Sequence, residues 1–385
     1  MSPSFDFDRV IDRHQTASLK WDRYRGRDVL PLWVADMDFP SPPAVIAALH
    51  RRVEHAIFGY TLVPDELVET IIAMLWARYG WEVRPEWLVW LPGLVTGLNV
   101  ACRAVGAEGD EVLTTVPVYP PFLSAPGHFR RQVRTVPLRQ AGDRWELDFE
   151  ALAQAISGRT TLFLLCSPHN PTGRVLSRAE LERLASLCLA RDLVICSDEI
   201  HADLILDPDR HHMPTALLGP EVARRTITLM APSKTYNIPG LGCSFAVIPD
   251  GNLRRAFRQA MEGIVPHVNL LGYTAAIAAY REGGEWLAAL LAYLRGNRDR
   301  VAAAVGAMPG LAVNRVEATY LAWIDARGAG LADPAAFFEA AGVGLSDGRD
   351  FGGPGFVRLN FGCPRAVLDE ALSRMARGLA AHTTP

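Results

Sequence analysis

The chain has 385 residues, of which 49% are hydrophobic and 21% are charged, and its formal net charge is −3. These values are typical of a soluble globular protein with a large core, and they argue against nucleic acid as the main partner. No run of about 18 apolar residues occurs in the sequence, so no membrane span is predicted.

The N-terminal segment and the cysteines indicate the compartment. Residues 1–14 carry acids where a secretory signal peptide needs an apolar stretch. The six cysteines are scattered without the spacing of a metal site, and several lie within apolar runs, as reduced core thiols do. The sequence therefore predicts a cytoplasmic protein without a metal.

The N-terminal part of the chain is predicted to form an arm that packs on another part of the molecule. Residues 1–30 are polar, and the stretch 31–40 is apolar and ends at prolines. A helix is predicted over 42–55, because proline is tolerated in the first turn. A loop at 58–61 precedes a second helix over 64–79, whose apolar residues share one face.

From about residue 86 the sequence predicts alternating strands and helices. The candidate strands are 111–116, 133–137, 161–166, 193–197, 226–230 and 244–248, and the candidate helices are 94–106, 148–157, 177–191 and 252–262. Continuous apolar strands are typical of a parallel sheet that is buried on both faces. The alternation predicts an α/β domain with a mostly parallel sheet, in which ligands bind beyond the carboxyl ends of the strands.

After about residue 280 the pattern changes to a long helix, two separated strands and a terminal helix. These elements are predicted at 285–306, 318–324, 356–361 and 365–380. They indicate a second, smaller α+β domain. The predicted division is an N-terminal arm with part of the small domain (1–45), a large domain (46–284) and a small C-terminal domain (285–385).

Lys234 is the centre of the functional prediction. Of the 39 lysine and arginine residues only two are lysines, Lys20 and Lys234. Lys234 lies in a loop rich in proline and glycine, directly after a predicted strand. Arginine cannot lose its proton, whereas a partly desolvated lysine can lose it and bond to a carbonyl carbon. The count alone leaves a chance placement equally possible.

Three further loops at predicted strand ends present residues that could bind a ligand. The turn at 91–97 contains glycines before a helix, and a helix N-terminus suits a phosphate. The loop 116–122 presents Tyr119 between prolines, and the loop 167–173 presents Asn170. Taken singly, the first two features favour a plain helix cap and a tyrosine at the edge of the core, and the loop with Asn170 could equally be a rigid turn.

The segment 197–203 follows the predicted strand 193–197 and presents Asp198. A carboxylate at such a strand end is partly desolvated and requires a cationic partner. The alternatives are a metal site built from Asp198, His201 and Asp203, and a solvated acidic surface. Together, the five loops fit pyridoxal 5′-phosphate (PLP), which has a phosphate, a ring, a phenolic oxygen, a ring nitrogen and an aldehyde.

The order of the motifs resembles a known group of enzymes. The strings SPHNPTG, SDEIHAD, SKTYNIPGL and FVRLNFG resemble the fold-type I PLP enzymes of the class I/II aminotransferase superfamily, and the match covers nearly the whole chain. The strings LPLWVADMDFPSPP, FGYT and DEIHAD resemble more specifically the cystathionine β-lyase branch that contains PatB and MalY. Members of that branch cleave carbon–sulfur bonds by β-elimination.

The resemblance implies roles for the residues around the ring of the cofactor. Lys234 would hold PLP covalently and then remove the Cα proton of the substrate. Asp198 would pair with the ring nitrogen, Asn170 would hydrogen-bond the phenolic oxygen, and Tyr119 would stack on the ring. His201 would lie beside the cofactor oxygen, where many relatives have tyrosine.

The resemblance also implies how the phosphate is bound. Leu94 and Val95 would offer backbone N–H groups, and Ser233 would lie nearby. Tyr60 would reach the phosphate of the other subunit, which implies a homodimer with shared sites. Many aminotransferases place an arginine on the phosphate eight residues after the lysine, where this chain has Gly242.

On the substrate side, Arg358 would bind the α-carboxylate, with Trp33 and Tyr60 close to the amino-acid substrate. The implied function is a C–S β-lyase that converts L-cystathionine or a related cysteine S-conjugate to pyruvate, ammonia and a thiol. The alternatives are an aminotransferase that uses the same residues and a regulatory PLP-binding protein that acts through a partner surface. The sequence does not identify the thiol that leaves.

Overall fold

The computed structural model of the protein describes residues 5–383. The α-helices within these residues are α1 (Leu19–Asp22), α2 (Pro43–Glu54), α3 (Asp65–Tyr79), α4 (Leu94–Ala104), α5 (Pro121–His128), α6 (Phe149–Ala155), α7 (Arg178–Leu189), α8 (Pro220–Arg224), α9 (Gly251–Met261), α10 (Leu270–Glu282), α11 (Gly284–Gly306), α12 (Pro334–Ala340) and α13 (Arg365–Thr383). No helix among the described residues is both long enough and apolar enough to span a membrane.

The strands belong to one large sheet, one smaller sheet and two short pairs. They are β1 (Leu30–Pro31), β2 (Leu88–Leu91), β3 (Glu111–Val116), β4 (Gln132–Pro137), β5 (Arg139–Ala141), β6 (Arg144–Glu146), β7 (Thr160–Cys166), β8 (Val194–Asp198), β9 (Thr226–Met230), β10 (Ser244–Val247), β11 (Ala312–Val313), β12 (Leu321–Asp325), β13 (Val343–Gly344), β14 (Ser346–Asp347) and β15 (Phe356–Asn360).

The large sheet has the order β2-β10-β9-β8-β7-β3-β4, and only β10 runs against its neighbours. Its central strands β8 and β9 are buried along their whole length, as expected for parallel strands covered by helices on both faces. The predicted α/β class with a mostly parallel sheet is confirmed. Because β3, β7, β8 and β9 are parallel, the loops that follow them meet at one edge of the sheet.

The second sheet has the order β11-β12-β15-β14 and is antiparallel. Its core includes Leu321 and Leu359 together with Leu290 of α11 and Leu368 of α13. The N-terminal arm packs into the same core through residues such as Phe7, and its strand β1 pairs in parallel with β13. The division into 1–45, 46–284 and 285–385 stays a prediction, and residues 1–4 and 384–385 lie outside the described residues.

Several elements differ from the sequence prediction. The loop predicted at 116–122 is interrupted at Pro121, where α5 begins, because a proline at the first helical position lacks only an N–H that would be unbonded anyway. The helix α10 was not predicted. Its buried residues are mostly alanines and a glycine that lie on more than one side, so the segment lacks the polar face that a periodic pattern requires.

Candidate active site

A cavity of about 790 Å³ lies at the edge of the large sheet where the parallel strands end. Its walls come from the N-terminal arm, from the loops after β3, β7, β8 and β9, and from β15 and α12. All predicted site residues except Tyr60 line it: Trp33, Leu94, Val95, Tyr119, Asn170, Asp198, His201, Ser233, Lys234 and Arg358. The fold therefore brings together residues that are up to 325 positions apart in the chain.

Lys234 lies in the loop after β9, and its amine donates a hydrogen bond to the main-chain oxygen of Ala35 at 2.5 Å. No carboxylate forms an ion pair with Lys234 among residues 5–383. Although part of the side chain faces the cavity, protein atoms surround the amine. This burial, opposed by Asp36 and reinforced by Arg358, lowers the pKa of Lys234 to about 8. A substantial fraction of the amine is therefore neutral near pH 8.

Asp198 is the last residue of β8 and is only 5% exposed. Its Oδ1 accepts the backbone N–H of Ile200 at 3.1 Å, and no cationic side chain pairs with the carboxylate within the described chain. Burial is the main reason that the pKa of Asp198 rises to about 7. A buried carboxylate in this state is stabilised by a ligand that brings a cation or a hydrogen-bond donor.

Arg358 is a buried cation on β15 that also lacks a carboxylate partner among the described residues. Its guanidinium donates to Asn170 Oδ1 at 3.0 Å and to the main-chain oxygen of Trp33 at 2.7 Å. Its Nε is buried without a hydrogen-bond partner, and burial lowers the pKa of Arg358 to about 10. An anionic group of a ligand would satisfy this cation, and Asn170 and Trp33 hold its orientation.

The N-terminus of α4 lies at the same sheet edge, because β2 runs parallel to β9 across β10. Gly93 precedes the helix and provides no side-chain cap. The N–H groups of the first turn, which includes Leu94 and Val95, are therefore free of the usual side-chain partner. Together with Ser233, which lines the same cavity, this turn fits a phosphate group.

Tyr119 and His201 complete the walls around the middle of the cavity. Burial raises the pKa of Tyr119, which remains a neutral phenol. Burial also lowers the pKa of His201 to about 3, with contributions from Lys234 and Arg358, so its ring is uncharged. Its Nδ1 is buried without a partner. The unpaired carboxylate, uncapped helix, aromatic ring and neutral amine together fit PLP.

The metal alternative at residues 198–203 has no support in the arrangement of the side chains. Asp203 pairs with Arg78 at 2.5 Å and accepts hydrogen bonds from Tyr79 and Thr235, each at 3.1 Å. Its carboxylate is therefore engaged away from Asp198 and His201. Among the described residues, no group of three or more His, Cys, Asp or Glu side chains is arranged to hold a metal ion.

Sequence analysis missed the contribution of the arm to the floor of the cavity. The main-chain oxygen of Ala35 accepts hydrogen bonds from both Lys234 and Tyr320. Asn237, three residues after Lys234, fixes the arm by bonding the main chain of Met37 and Phe39. Contacts to backbone oxygens leave no trace in side-chain identity, so only the apolar stretch at 31–40 could have indicated them.

Residues 27–375 match the protein family described as aminotransferase class I and II. The chain belongs to this family. It is 38% identical to cystathionine beta-lyase PatB of Bacillus subtilis over 97% of this chain and 100% of the relative. The solved structure of OvoB superposes with a TM-score of 0.96 at 50% identity, over 99% of this chain and 100% of that one.

Cystalysin from Treponema denticola, whose structure contains a pyridoxal 5′-phosphate cofactor, superposes with a TM-score of 0.95 at 32% identity. The superposition covers 99% of this chain and 100% of cystalysin. These matches confirm the resemblance to the PLP-dependent class I/II superfamily and to its PatB branch.

The structure explains one departure of this chain from many class I/II aminotransferases. Gly242 has a φ of +56°, in the left-handed region. A β-carbon at this position would lie 3.2 Å from the main-chain oxygen of Pro92. An arginine would therefore be strained at this position, and any phosphate held here relies on the N-terminus of α4 and on neighbouring hydroxyl groups.

Proposed function

We propose that this protein is a PLP-dependent C–S β-lyase that cleaves L-cystathionine or related cysteine S-conjugates to pyruvate, ammonia and a thiol. One observation carries the proposal. Lys234, Asp198 and Arg358 converge on one cavity, and none of them has an ion-pair partner among residues 5–383. A carbonyl for the lysine, a protonated ring nitrogen for the aspartate and a carboxylate for the arginine would satisfy all three.

Each residue has a defined task in the proposed reaction. PLP, when bound, withdraws electrons from the substrate Cα and makes its proton acidic. Arg358 binds the α-carboxylate with its planar fork. Lys234, whose pKa is about 8, accepts the Cα proton as a neutral amine. The Cβ–S bond then breaks, and its electron pair leaves with the sulfur as a thiolate. Water hydrolyses the remaining unsaturated amine to pyruvate and ammonia.

The second candidate is an aminotransferase, which the description of the family itself favours. In this reaction the same arginine would hold the substrate and Lys234 would move the Cα proton within the site, but no bond to sulfur would break. The two functions therefore differ in their products rather than in the residues they require.

The deciding experiment supplies PLP-loaded protein with L-cystathionine in one assay, and with an L-amino acid and an α-keto acid in the other. We expect pyruvate, ammonia and free thiol to appear in equal amounts in the first assay. A Lys234→Met variant is the matched control for uncatalysed breakdown. If amino groups pass to the keto acid and no thiol is released, the protein is an aminotransferase.

We further propose that the active unit is a homodimer with shared sites. The segment between α2 and α3 has no regular structure, and its large apolar side chains Ile57, Phe58, Tyr60 and Leu62 are exposed. The side chain of Leu62, for example, is 88% exposed. A second copy would cover this surface, and Tyr60, which lies outside the cavity of its own chain, would then serve the partner's phosphate site.

Subunit exchange between two inactive variants tests the shared site. Tyr60→Phe and Lys234→Ala proteins are mixed, and exchange is verified by mass. In the mixed dimer one site carries both lesions and the other carries neither, so about a quarter of wild-type activity should return. If Tyr60→Phe is strongly impaired and no activity returns after exchange, Tyr60 acts within its own subunit.

We propose that the enzyme is cytoplasmic. All six cysteines are free and buried. Reduced thiols are the rule in a compartment where glutathione and thioredoxin prevent disulfides.

A further inference from the structure

The outer part of the cavity contains arginines in two different situations. Arg27 pairs with Glu339 of α12 at 2.8 Å. Arg349 pairs with Asp333 at 2.6 Å and also with Asp347. All these residues line the cavity. Both arginines are engaged by carboxylates, and because Arg349 faces two of them, this side of the mouth has, among the described residues, an excess of negative charge and no free cation.

Arg23 lies at the same mouth but has no such partner. Its side chain forms no ion pair or hydrogen bond within residues 5–383, and its guanidinium carbon lies 4.5 Å from the centre of the Trp33 ring. Stacking on an aromatic face orients a guanidinium while leaving its N–H edge free. Arg23 therefore presents an oriented, uncompensated cation to the cavity mouth.

Trp33 contacts both this cation and Arg358, the arginine proposed to bind the substrate. Its indole N–H donates to the main-chain oxygen of Lys20 at 3.2 Å, and its own main-chain oxygen accepts from Arg358 at 2.7 Å. The same residue thus fixes the arginine proposed for the α-carboxylate and supports Arg23 farther out. Arg358 and Arg23 therefore contact the same residue of one cavity wall, the first through its main-chain oxygen and the second through its ring.

We propose that Arg23 recognises an anionic group on the part of the substrate that leaves with the sulfur. The substrate class would then be cysteine S-conjugates whose sulfur substituent carries a carboxylate, in preference to neutral alkyl or amide conjugates. The inference rests on the proposed lyase function and adds to it the selection of the leaving group. The planar fork of arginine suits a carboxylate.

Nearby carboxylates would favour the opposite charge. Asp333 and Asp347 share one arginine, and Asp350 also lines the mouth and forms no ion pair among the described residues. If their negative charge outweighed the positive charge of Arg23, a cationic substituent would be preferred. The experiment therefore needs substrates of all three charges.

Three conjugates of similar size provide the test: S-(2-carboxyethyl)-L-cysteine, S-(2-carbamoylethyl)-L-cysteine and S-(2-aminoethyl)-L-cysteine. They differ in the charge of the terminal group and share the bond that breaks. Pyruvate release by the PLP-loaded enzyme gives kcat and KM for each compound. We expect the carboxylate compound to have the lowest KM and the amine compound the highest.

The variant Arg23→Gln should raise KM for the carboxylate compound about fivefold, the range of a partly exposed charge-assisted contact, and leave kcat unchanged. Its KM for the amide compound should stay within about twofold of the wild-type value. Arg25→Gln is the matched control, because Arg25 pairs with Asp22 at 3.4 Å and does not line the cavity. The preference of the wild type should also shrink at about 1 M salt, where charges are screened within about 3 Å.

The outcomes separate this inference from the lyase function. If the wild type releases thiol and pyruvate from all three compounds with equal KM, or prefers the amine compound, the role of Arg23 is wrong and the lyase function stands. An equal loss on the carboxylate and amide compounds in Arg23→Gln would mean that Arg23 only supports Trp33. If the wild type cleaves none of them and also fails on L-cystathionine, the lyase function is wrong and the inference falls with it.

Discussion

The two lysines of this protein lie close to the same stretch of the arm but have opposite surroundings. Lys20 is fully buried, and its amine donates to Asp38 Oδ2 at 2.7 Å and to the main-chain oxygen of Asp36 at 3.2 Å. Lys234 donates to the main-chain oxygen of Ala35, the preceding residue. Neighbouring main-chain oxygens of one segment thus accept hydrogen bonds from both amines, and within the described part of the chain only Lys20 also pairs with a carboxylate.

The difference teaches that burial alone does not make a lysine reactive. Asp38 compensates the charge of Lys20 and is itself held by Arg13 at 2.6 Å and by the indole of Trp21 at 2.8 Å. This cluster joins two parts of the arm, and none of the side chains of Lys20, Asp38, Arg13 and Trp21 lines the cavity. Lys234 is buried without a counter-ion among residues 5–383, and its pKa falls to about 8. The missing carboxylate, rather than the rarity of lysine, separates the residue that we propose as catalytic from the structural one.

The largest effect is expected when Lys234 is replaced by methionine. Activity should fall to the uncatalysed background, a loss on the order of 10³-fold or more, because the group that moves the proton is gone. Absorbance of the covalently bound cofactor should also disappear. Lys234→Arg should not restore either property, since a guanidinium stays protonated. Wild-type activity in either variant would contradict the assignment.

Replacement of Asp198 by asparagine keeps the shape of the side chain and removes its charge. We expect a rate loss on the order of 10³-fold, because the buried carboxylate would no longer stabilise a protonated ring nitrogen. Cofactor content, measured after acid release, should be compared with that of the wild type to separate binding from catalysis. A loss below about tenfold would mean that another group is the partner of the ring.

The opposite result, a loss of stability without a loss of kcat, is expected for Lys20→Met. Removing one partner from a buried ion pair leaves Asp38 uncompensated on that side, which typically destabilises a protein by about 3–5 kcal/mol. The melting temperature should therefore fall, while the folded fraction at low temperature keeps its kcat. Lys234→Met is the matched control and should not lower the melting temperature of the cofactor-free protein, since it breaks no ion pair. If both variants have the same melting temperature, the proposed difference between the surroundings of the two lysines is wrong.

The sequence predicted the parts of this arrangement that are local. Asp198 ends a buried strand, and Tyr119, Asn170 and Lys234 lie in the loops that follow buried strands, so a pattern of apolar strands and turn residues was enough to predict their place at one sheet edge. The burial of Lys20 was not predictable in this way. It depends on Asp38, which is 18 residues away on a segment without regular repeat.

The contact of Lys234 with Ala35 spans 199 residues and involves a backbone oxygen, so side-chain identity carries no information about it. The same limit applies to Arg23. Its lack of a partner is a property of the folded surface and cannot be recognised in a chain in which arginine is the usual cation. Long-range backbone contacts and the compensation of charge are therefore what the structure adds to the sequence.

The finest test of the comparison is the pH dependence of chemical labelling at Lys234 in cofactor-free protein, with Lys20 as an enclosed reference. Reductive methylation modifies only neutral amines, so the modified fraction of Lys234, measured by mass spectrometry, should reach half its maximum near pH 8. Lys20, enclosed and paired, should stay protected across the same range. Equal labelling of both lysines would mean that Lys20 is no better protected than Lys234, which contradicts the comparison.

Two variants should move the midpoint of Lys234 in opposite directions. Arg358 lowers the pKa of Lys234 and Asp198 raises it, so Arg358→Met should shift the labelling midpoint to higher pH and Asp198→Asn should shift it to lower pH.

The free energy of unfolding of the protein should depend on the protonation of the same amine. Because burial lowers the pKa of Lys234 from 10.5 to about 8, the unfolded chain binds more protons between these values. The contribution of Lys234 to stability therefore rises with pH across that window. This rise should be missing in Lys234→Met, and its persistence there would assign the titration to another group.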